Sequence, residues 1–266
     1  SMEPPVATAY VRDGKVEVWA PVQSPGGTRE DLAKTLEMPM DAVTVNVTLL
    51  GGGFGRKSKC DYVLEAALLS RKLGAPVRVQ WTREDDVRHD FLHTVSAERI
   101  EAGLDAGGKV VAWRHRSAAP SIGSTFAADT LHPLSLELGM GLADLPFDIP
   151  NIRAESPAAA AHTRIGWFRA VSNIPHVFAV QSMVGEIAAR TGRDPKDLLL
   201  ELIGPARIVD LSASVKDLWN YGEPFSSYPI DAGRLRRVVE LVAAKGEWGR
   251  KLPPGHGMGI AVHRSF

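Results

Sequence analysis

Alternation of apolar and polar side chains organises the first part of the chain. Residues 7–12 and 15–20 alternate on either side of Asp13-Gly14, a pair that favours a tight turn between antiparallel strands. Residues 42–50 alternate in the same way and are rich in β-branched side chains, which predicts a further strand. We therefore expect a sheet that begins with a β-hairpin.

Helical periodicity and end signals define the next elements. Thr28 and Asp31 form an acidic variant of the capping box, which predicts a helix from near Arg29. Gly74 marks the end of one amphipathic segment, and Asp194 followed by Pro195 marks the start of another. The predicted helices are the one from Arg29 and those over residues 61–73, 174–192, 195–203 and 231–246.

The remaining segments complete an α+β pattern. Residues 94–104 and 109–117 predict a second hairpin, joined by the sequence DAGGK. Residues 120–160 are rich in Pro, Ala, Ser and Gly, and we expect an irregular segment with one short helix. Residues 260–266 alternate and predict a strand at the end of the sequence. The fold class is therefore predicted as α+β, with mixed sheets and packed helices.

Charge and cysteine content narrow the classes of function. Lys and Arg total 31, as do Asp and Glu, so bulk charge gives no support for a nucleic-acid partner. No apolar run is long enough to span a membrane. The single cysteine, Cys60, is too few for an iron–sulfur cluster, which typically takes about four thiolates. Any one-electron relay is therefore expected on another chain or domain.

The sequence LLGGGFGRKSK, residues 49–59, lies between a predicted strand and a predicted helix. We call it the glycine loop. Its backbone amides and the helix start behind them suit an anion, and glycine permits close approach to a ligand. Arg56 stands where a dinucleotide-binding motif needs its third glycine, and the phosphate-binding P-loop pattern also fails. Arg56, Lys57 and Lys59 either neutralise a phosphate or form a solvated basic face.

Four motifs follow one another at a characteristic spacing: VEVWAPVQSP, GGGFGRKSKCDYVLEAALLSRKLGAPVRVQWTREDD, RHDFLH and GWFRAVSNIPHVFAVQSMVGEIA. In these motifs the chain resembles the molybdenum-binding subunit of the xanthine dehydrogenase/aldehyde oxidase family, in the bacterial branch typified by the isoquinoline 1-oxidoreductase β subunit. The resemblance implies a molybdopterin cofactor in the cytosine dinucleotide form. It implies oxidation of an aldehyde or N-heterocycle at carbon, with water as the oxygen source.

Organisation and partners follow from the same resemblance. It implies that residues 1–160 are part of a first molybdopterin-binding subdomain and that residues 161–266 are the truncated start of a second. Because family subunits are much longer, we expect a fragment. We expect electron transfer to iron–sulfur clusters or haem on a partner subunit, such as a cytochrome, and no nucleic acid or membrane span. A twin-arginine signal upstream of Met2, and hence a periplasmic location, is favoured slightly over a cytoplasmic one.

The resemblance also assigns site residues. Gln23 matches a glutamine whose amide donates to an oxo ligand on molybdenum. Phe54 and Gly55 are expected to act through their backbone N–H groups, and Arg169 is expected beside the cofactor, near the molybdenum ligands. No side chain is expected to bind the metal directly. The predicted cofactor-binding residues are Gln23, Gly52, Gly53, Phe54, Gly55, Arg56, Arg169, Ala170 and Val171.

Departures from the family pattern limit what the resemblance implies. Ser58 and Val171 replace a glutamate and an aromatic residue that orient purines in the xanthine branch, so purine specificity is not expected. The catalytic glutamate of the family lies in a GxGE motif, which these 266 residues lack. We expect no catalytic residue here and no turnover by this chain alone. The alternatives are a stand-alone pterin- or nucleotide-binding module, a cofactor delivery protein, or a scaffold that contacts a partner through residues 120–160.

Three further features are interpreted as structural. His89 and His93 have the spacing of a helical zinc pair but lack a third ligand nearby. Cys60 is expected to be packed rather than reactive. Asp85 and Asp86 are explained as acidic residues in the first turn of a helix, where they interact favourably with its dipole.

Overall fold

The protein was analysed as a computed structural model that describes residues 2–127 and 130–265, and these residues form two compact units. Unit 1 comprises the chain up to His93 together with Gly166–Arg169. Unit 2 comprises Thr94–Ile165 and the chain from Ala170 onward. This division differs from the boundary expected after residue 160. The two molybdopterin-binding subdomains therefore stay a prediction.

Unit 1 is built on a four-stranded sheet with the order β3-β2-β1-β4. β1 pairs antiparallel with both β2 and β4, whereas β2 pairs parallel with β3. The strands are β1 (Val6–Arg12), β2 (Lys15–Ala20), β3 (Val43–Val47) and β4 (Val77–Gln80). The predicted hairpin is confirmed, with Asp13 and Gly14 at positive φ in its turn. β3 ends three residues earlier than predicted, because the chain leaves the sheet to enter the glycine loop.

Two helices, α1 (Pro25–Leu36) and α2 (Asp61–Leu73), pack against this sheet, and α3 (Arg83–His89) follows β4 in the chain. The predicted start of α1 near Arg29 is wrong: the helix begins at Pro25, and Thr28 lies inside it, donating from Oγ1 to the Ser24 carbonyl at 2.9 Å. Proline is favoured in a first helical turn because it needs no amide partner there. α2 ends at Gly74 as predicted and buries Val63 against the sheet.

A short pairing follows α3. It joins β5 (Leu92–His93) to β9 (Ile165–Gly166). Gly166 lies so close to Phe91 that a Cβ on the glycine would be 2.6 Å from the Phe91 Cβ. The residues from Gly166 to Arg169 therefore belong to unit 1 although they are distant in sequence.

Unit 2 contains a three-stranded sheet with the order β6-β7-β8. Its strands are β6 (Ala97–Leu104), β7 (Val110–Ala118) and β8 (Asn151–Glu155). The hairpin of β6 and β7 confirms the second predicted hairpin. β8 pairs parallel with β7 and was not predicted, because most of its side chains are exposed and show no alternation. The short helix expected within residues 120–160 is α4 (Ser135–Leu138).

Three longer helices complete unit 2. They are α5 (Asn173–Thr191), α6 (Pro195–Ile203) and α7 (Ala232–Lys245), close to their predicted positions. Asp194 caps α6 as predicted, with its carboxylate accepting from Lys196 N–H at 2.8 Å. Within the described ranges, no helix has both the length and the apolar character that crossing a bilayer requires.

The expected carboxy-terminal strand is absent from residues 260–265. This segment instead runs beside α5, where Gln181 donates from Nε2 to the Val262 carbonyl at 3.0 Å. Alternation alone does not make a strand when no neighbouring strand offers a hydrogen-bond ladder. Phe266, included in the prediction, lies outside the described residues.

Candidate functional site

Positive backbone dihedrals shape the glycine loop. Gly52 and Gly55 have φ of 99° and 94°, and Phe54 between them has φ of 50°. A short 3₁₀ turn follows, in which the Arg56 N–H donates to the Gly53 carbonyl at 2.9 Å. Glycine adopts these dihedrals without a steric cost, which explains why the sequence is so poor in side chains at this point.

Gln23, three residues after the end of β2, holds the glycine loop through two hydrogen bonds. Its backbone N–H donates to the Lys57 carbonyl at 3.0 Å, and its Oε1 accepts from Gly55 N–H at 2.9 Å. Because a backbone donor fixes which end is the oxygen, the Nε2 donor must face away from Gly55. This Nε2 has no acceptor among residues 2–127 and 130–265. Gln23 thus presents a free amide donor at an exposed position.

The absence of a side chain at Gly53 leaves room for the side chain of Gln23. A Cβ at Gly53 would lie 2.7 Å from the Gln23 Cδ, so any side chain would displace the glutamine. Glycine at this position is therefore required by the close approach of another side chain and not only by the backbone conformation.

A run of three backbone donors remains. The N–H groups of Gly52, Gly53 and Phe54 have no acceptor in the described part of the chain, although Gly53 is buried. Buried amides without a partner are rare and call for a ligand or water. The Gly55 N–H, in contrast, is occupied by Gln23. Of the two amides expected to face a ligand, only that of Phe54 is free in this structure.

Arg56 points into unit 1. Its guanidinium donates to both oxygens of Asp61, at 2.8 and 3.0 Å, and from Nε to Asp90. Only 2% of its side chain is exposed. Burial alone lowers the pKa of the guanidinium, but hydrogen bonds and charge from the two carboxylates outweigh burial and raise that pKa.

Lys57 is buried as well. Its Nζ lies 3.6 Å from Glu3 Oε2, donates to the Pro4 carbonyl at 3.3 Å and lies 4.8 Å from the Tyr62 ring centre. Burial lowers the pKa of this ammonium group, with Glu3 opposing the shift. Glu3 also accepts from Gly51 N–H at 3.2 Å and so holds the first glycine of the loop.

These positions correct the expectation for the two basic residues. Neither Arg56 nor Lys57 forms an exposed phosphate-facing tail or a solvated basic face, since both are enclosed with carboxylates. The assignment of Arg56 to the cofactor is compatible with this structure only through its effect on the shape of the loop.

Gly166–Arg169, which we call the arginine segment, packs against the glycine loop. A Cβ on Gly55 would lie 2.5 Å from Cδ1 of Trp167, so these residues touch at the backbone of the loop. The Phe168 ring stacks on His93 with ring centres 6.4 Å apart. Arg169 is exposed and has no side-chain partner within the part of the chain that the structure describes. Its five guanidinium donors are therefore available.

The two residues after Arg169, which belong to unit 2, have positive φ. Ala170 and Val171 have φ of 72° and 48° and precede α5. A positive φ is costly for a β-branched residue, and each such residue typically stores on the order of 1–3 kcal/mol. Strain of this kind is concentrated at ligand sites in proteins generally. Ala170 and Val171 have apolar side chains, so any contribution of these two predicted residues to the site comes from their backbone conformation.

The remaining residues considered for a reactive or metal-binding role are Cys60, Asp85, His89 and His93, and their contacts are those of structural residues. Cys60 is buried, and its Sγ lies 3.1 Å from Asp31 Oδ2; burial and this carboxylate raise the thiol pKa to about 12. Asp85 completes a capping box with Thr82 at the start of α3. His89 and His93 lie on different elements, and no group of three or more potential metal ligands occurs among the described residues.

Several residues that hold the glycine loop were not predicted from the sequence. Asp90, Glu3 and Trp167 each hold the glycine loop. Asp90 and Trp167 belong to two of the four motifs, but no role in the loop was assigned to either, and Glu3 lies outside the motifs. A general signal is that a basic residue inside a tight glycine turn needs buried acidic partners. That rule does not indicate which of the 31 acidic residues supply them.

A separate cleft of about 490 Å³ lies in unit 2 and contains none of the predicted site residues. Its walls are mainly apolar, with Leu142, Phe147 and Ile152 among them. Convergent polar groups, which define most small-molecule sites, occur instead around the glycine loop.

Comparisons with known proteins identify a family and a similar fold. Residues 1–201 match the family of molybdopterin cofactor-binding domains. The chain is 31% identical to a nicotinate dehydrogenase subunit of Pseudomonas putida, covering 79% of this chain and 18% of that protein. It is 30% identical to the β subunit of isoquinoline 1-oxidoreductase from Brevundimonas diminuta, covering 75% and 26%. Aldehyde oxidoreductase from Desulfovibrio gigas has a similar fold, with a TM-score of 0.73, 17% identity and coverage of 92% and 25%.

The chain belongs to the molybdopterin cofactor-binding domain family. It spans about a quarter or less of the length of these relatives, so it corresponds to one portion of such a protein. The donor set described above fits an anionic cofactor: three unpartnered amides, the Gln23 Nε2 and the Arg169 guanidinium all offer N–H groups.

Proposed function

We propose that this chain is one wall of the cofactor site in a molybdenum hydroxylase that oxidises an aldehyde or N-heterocycle at carbon, with water as the oxygen source. The family match supports the cofactor class. The names of the relatives support both substrate classes, since they include proteins for nicotinate, isoquinoline and aldehydes. The observation that carries the proposal is the run of unpartnered amides from Gly52 to Phe54 beside the free Gln23 donor.

Each of the site residues has a distinct task. The Gln23 amide donates to an oxygen of the bound group and is held in place by Gly55. The amides of Gly52, Gly53 and Phe54 bind anionic atoms without the entropy cost of ordering a side chain. Arg169 supplies a forked pair of donors to oxygen atoms.

The bound molybdopterin supplies the two-electron redox chemistry. Residues of this chain position it and exclude water from one side. We infer the cytosine dinucleotide form of the cofactor, a catalytic base contributed from outside this stretch, and electron transfer to an iron–sulfur or cytochrome partner. We expect no turnover by the chain alone. We also propose a periplasmic location, reached through a twin-arginine signal.

The proposal is tested by molybdenum and pterin content. The 266-residue chain and the full-length protein are purified in parallel and measured by metal analysis and pterin fluorescence. We expect close to one molybdenum in the full-length protein and almost none in the isolated chain. Gln23→Leu in the full-length protein should lower the content at least severalfold, whereas Gln80→Leu, an exposed change in β4, should not.

Two outcomes would contradict the proposal. Absence of molybdenum and pterin from a folded full-length protein would remove the cofactor assignment. Full cofactor content in the isolated chain would instead favour the second candidate, a stand-alone pterin-binding or delivery module, because the same unpartnered amides could hold a pterin phosphate.

A further inference from the structure

The buried guanidinium of Arg56 contacts three parts of unit 1 at once. It donates to Asp61 in the first turn of α2, to Asp90 at the end of α3, and to the Lys59 carbonyl at 3.3 Å. The rings of Tyr62, Trp81 and Phe91 lie around it, with their centres 5.1 to 5.9 Å from the guanidinium carbon. A group so enclosed has one available position.

Asp90 passes this constraint on to the next residue. The same Oδ1 that accepts from Arg56 also accepts from the Phe91 N–H, at 2.8 Å. The Asp90 N–H caps α3 by donating to the Asp86 carbonyl at 3.1 Å. One carboxylate oxygen therefore joins the glycine loop to the backbone that enters β5.

The arginine segment rests on this backbone. Phe91 fills the space that a side chain on Gly166 would need, and His93 stacks on Phe168. Trp167 contacts Gly55, the residue before Arg56. Arg56 thus contacts Asp90, the residues after Asp90 contact the arginine segment, and the arginine segment contacts the glycine loop next to Arg56.

We propose that Arg56, acting through Asp90, is a positioning residue that sets the distance between the glycine loop and Arg169. We call this dependence of the position of Arg169 on Arg56 and Asp90 the mechanical link. The link itself does not depend on the function proposed above, whereas the claim that the distance serves a cofactor rests on that function. Arg56 acts without touching the ligand, since its side chain is enclosed inside unit 1 and only 2% exposed.

Trypsin tests the link in the 266-residue chain under native conditions. Arg169 is exposed and is a cleavage site, and Lys109 in the β6–β7 turn serves as an internal reference. We expect Arg56→Met to accelerate cleavage after Arg169 about tenfold relative to Lys109, because local opening governs such cleavage. Asp90→Asn, which keeps the shape and removes the charge, should produce a smaller increase.

The conservative variant and a core control separate positioning from general stability. Arg56→Lys keeps the charge but lacks the fork, and we expect an intermediate rate of cleavage. Leu36→Ala, in the core of unit 1, should lower thermal stability without selective cleavage after Arg169. If Arg56→Met does not fold, Arg56→Lys and Asp90→Asn carry the test. Unchanged relative cleavage in the folded Arg56 and Asp90 variants would overturn the link.

Molybdenum content in the full-length protein addresses the purpose of the link. Asp90→Asn should lower molybdenum and pterin per polypeptide together with the faster cleavage. Faster cleavage with unchanged cofactor content would overturn the claim that the distance serves the cofactor. If the wild-type full-length protein holds no cofactor while the variants still cleave faster, the proposed function fails and the mechanical link stands.

Discussion

The glycine loop and the arginine segment each carry an arginine that the sequence assigns to the same site, and the structure uses the two differently. Arg56 is enclosed by carboxylates and aromatic rings, whereas Arg169 is exposed without a side-chain partner in the described residues. An arginine whose donors are already engaged shapes a site. An arginine whose donors are free can bind a ligand.

This difference separates stability from binding. Loss of a buried arginine leaves its carboxylates without a counter-ion, whereas loss of an exposed arginine disturbs little in the fold. The two residues should therefore give opposite patterns of folding defect and cofactor defect when each is replaced.

The largest expected effect on folding is that of Arg56→Met. Asp90, with 10% of its side chain exposed, and Asp61 would lose their main counter-ion. We expect the free energy of unfolding to fall by about 3–5 kcal/mol, as for other broken buried pairs. Urea unfolding followed by circular dichroism measures the change. A loss below about 1 kcal/mol would show that water compensates the carboxylates and would weaken the contrast with Arg169.

Asp144 in unit 2 shows what incomplete neutralisation by an arginine does. It is buried, accepts from Gly141 N–H at 2.6 Å, and lies 3.9 Å from Arg264. Burial outweighs these interactions and raises the pKa of Asp144 to about 6. Because the folded state then binds the proton more tightly than the unfolded state, stability is lost as the pH rises from about 4 to about 6.

Comparison with Asp144→Asn isolates this contribution. Relative to the variant, the wild-type chain should lose on the order of 3 kcal/mol of unfolding free energy between about pH 4 and pH 6.5, with no further change above. Urea titrations at intervals of pH measure the difference. Parallel pH profiles for the two proteins would mean that Arg264 and the Gly141 amide offset the burial of Asp144.

The sequence predicted elements well and contacts poorly. The hairpins and the ends of α2 and α6 follow from local signals such as Asp13-Gly14, Gly74 and Asp194. The four motifs indicated the family, which the domain match confirmed. Burial of Arg56 could not be predicted, because its partner Asp90 is 34 residues away in a different motif and no local pattern connects the two. A charge run looks the same whether it faces solvent or carboxylates.

Gly55→Ala tests the contact between the loop and the arginine segment. A Cβ would meet Trp167 at 2.5 Å, and alanine would have to adopt a φ of 94°. Backbone strain alone is typically about 1–3 kcal/mol, and the clash adds to it. Gly74→Ala is the matched control, since its φ is 64° but nothing lies within 4 Å of its Cβ. Equal unfolding free energies for the two variants would show that the Trp167 contact carries no energy.

Arg169→Ala should have the smallest effect on folding and a large effect on the cofactor. Since the side chain is exposed and contacts no partner in the described residues, we expect a change in unfolding free energy within about 0.5 kcal/mol. Molybdenum content of the full-length protein should nevertheless fall severalfold, because the paired donors are lost. Arg237→Ala, an exposed arginine of α7, is the control and should change neither quantity. If Arg169→Ala destabilises the chain as strongly as Arg56→Met while the molybdenum content stays normal, the two arginines have the same structural task, and the contrast between them is wrong.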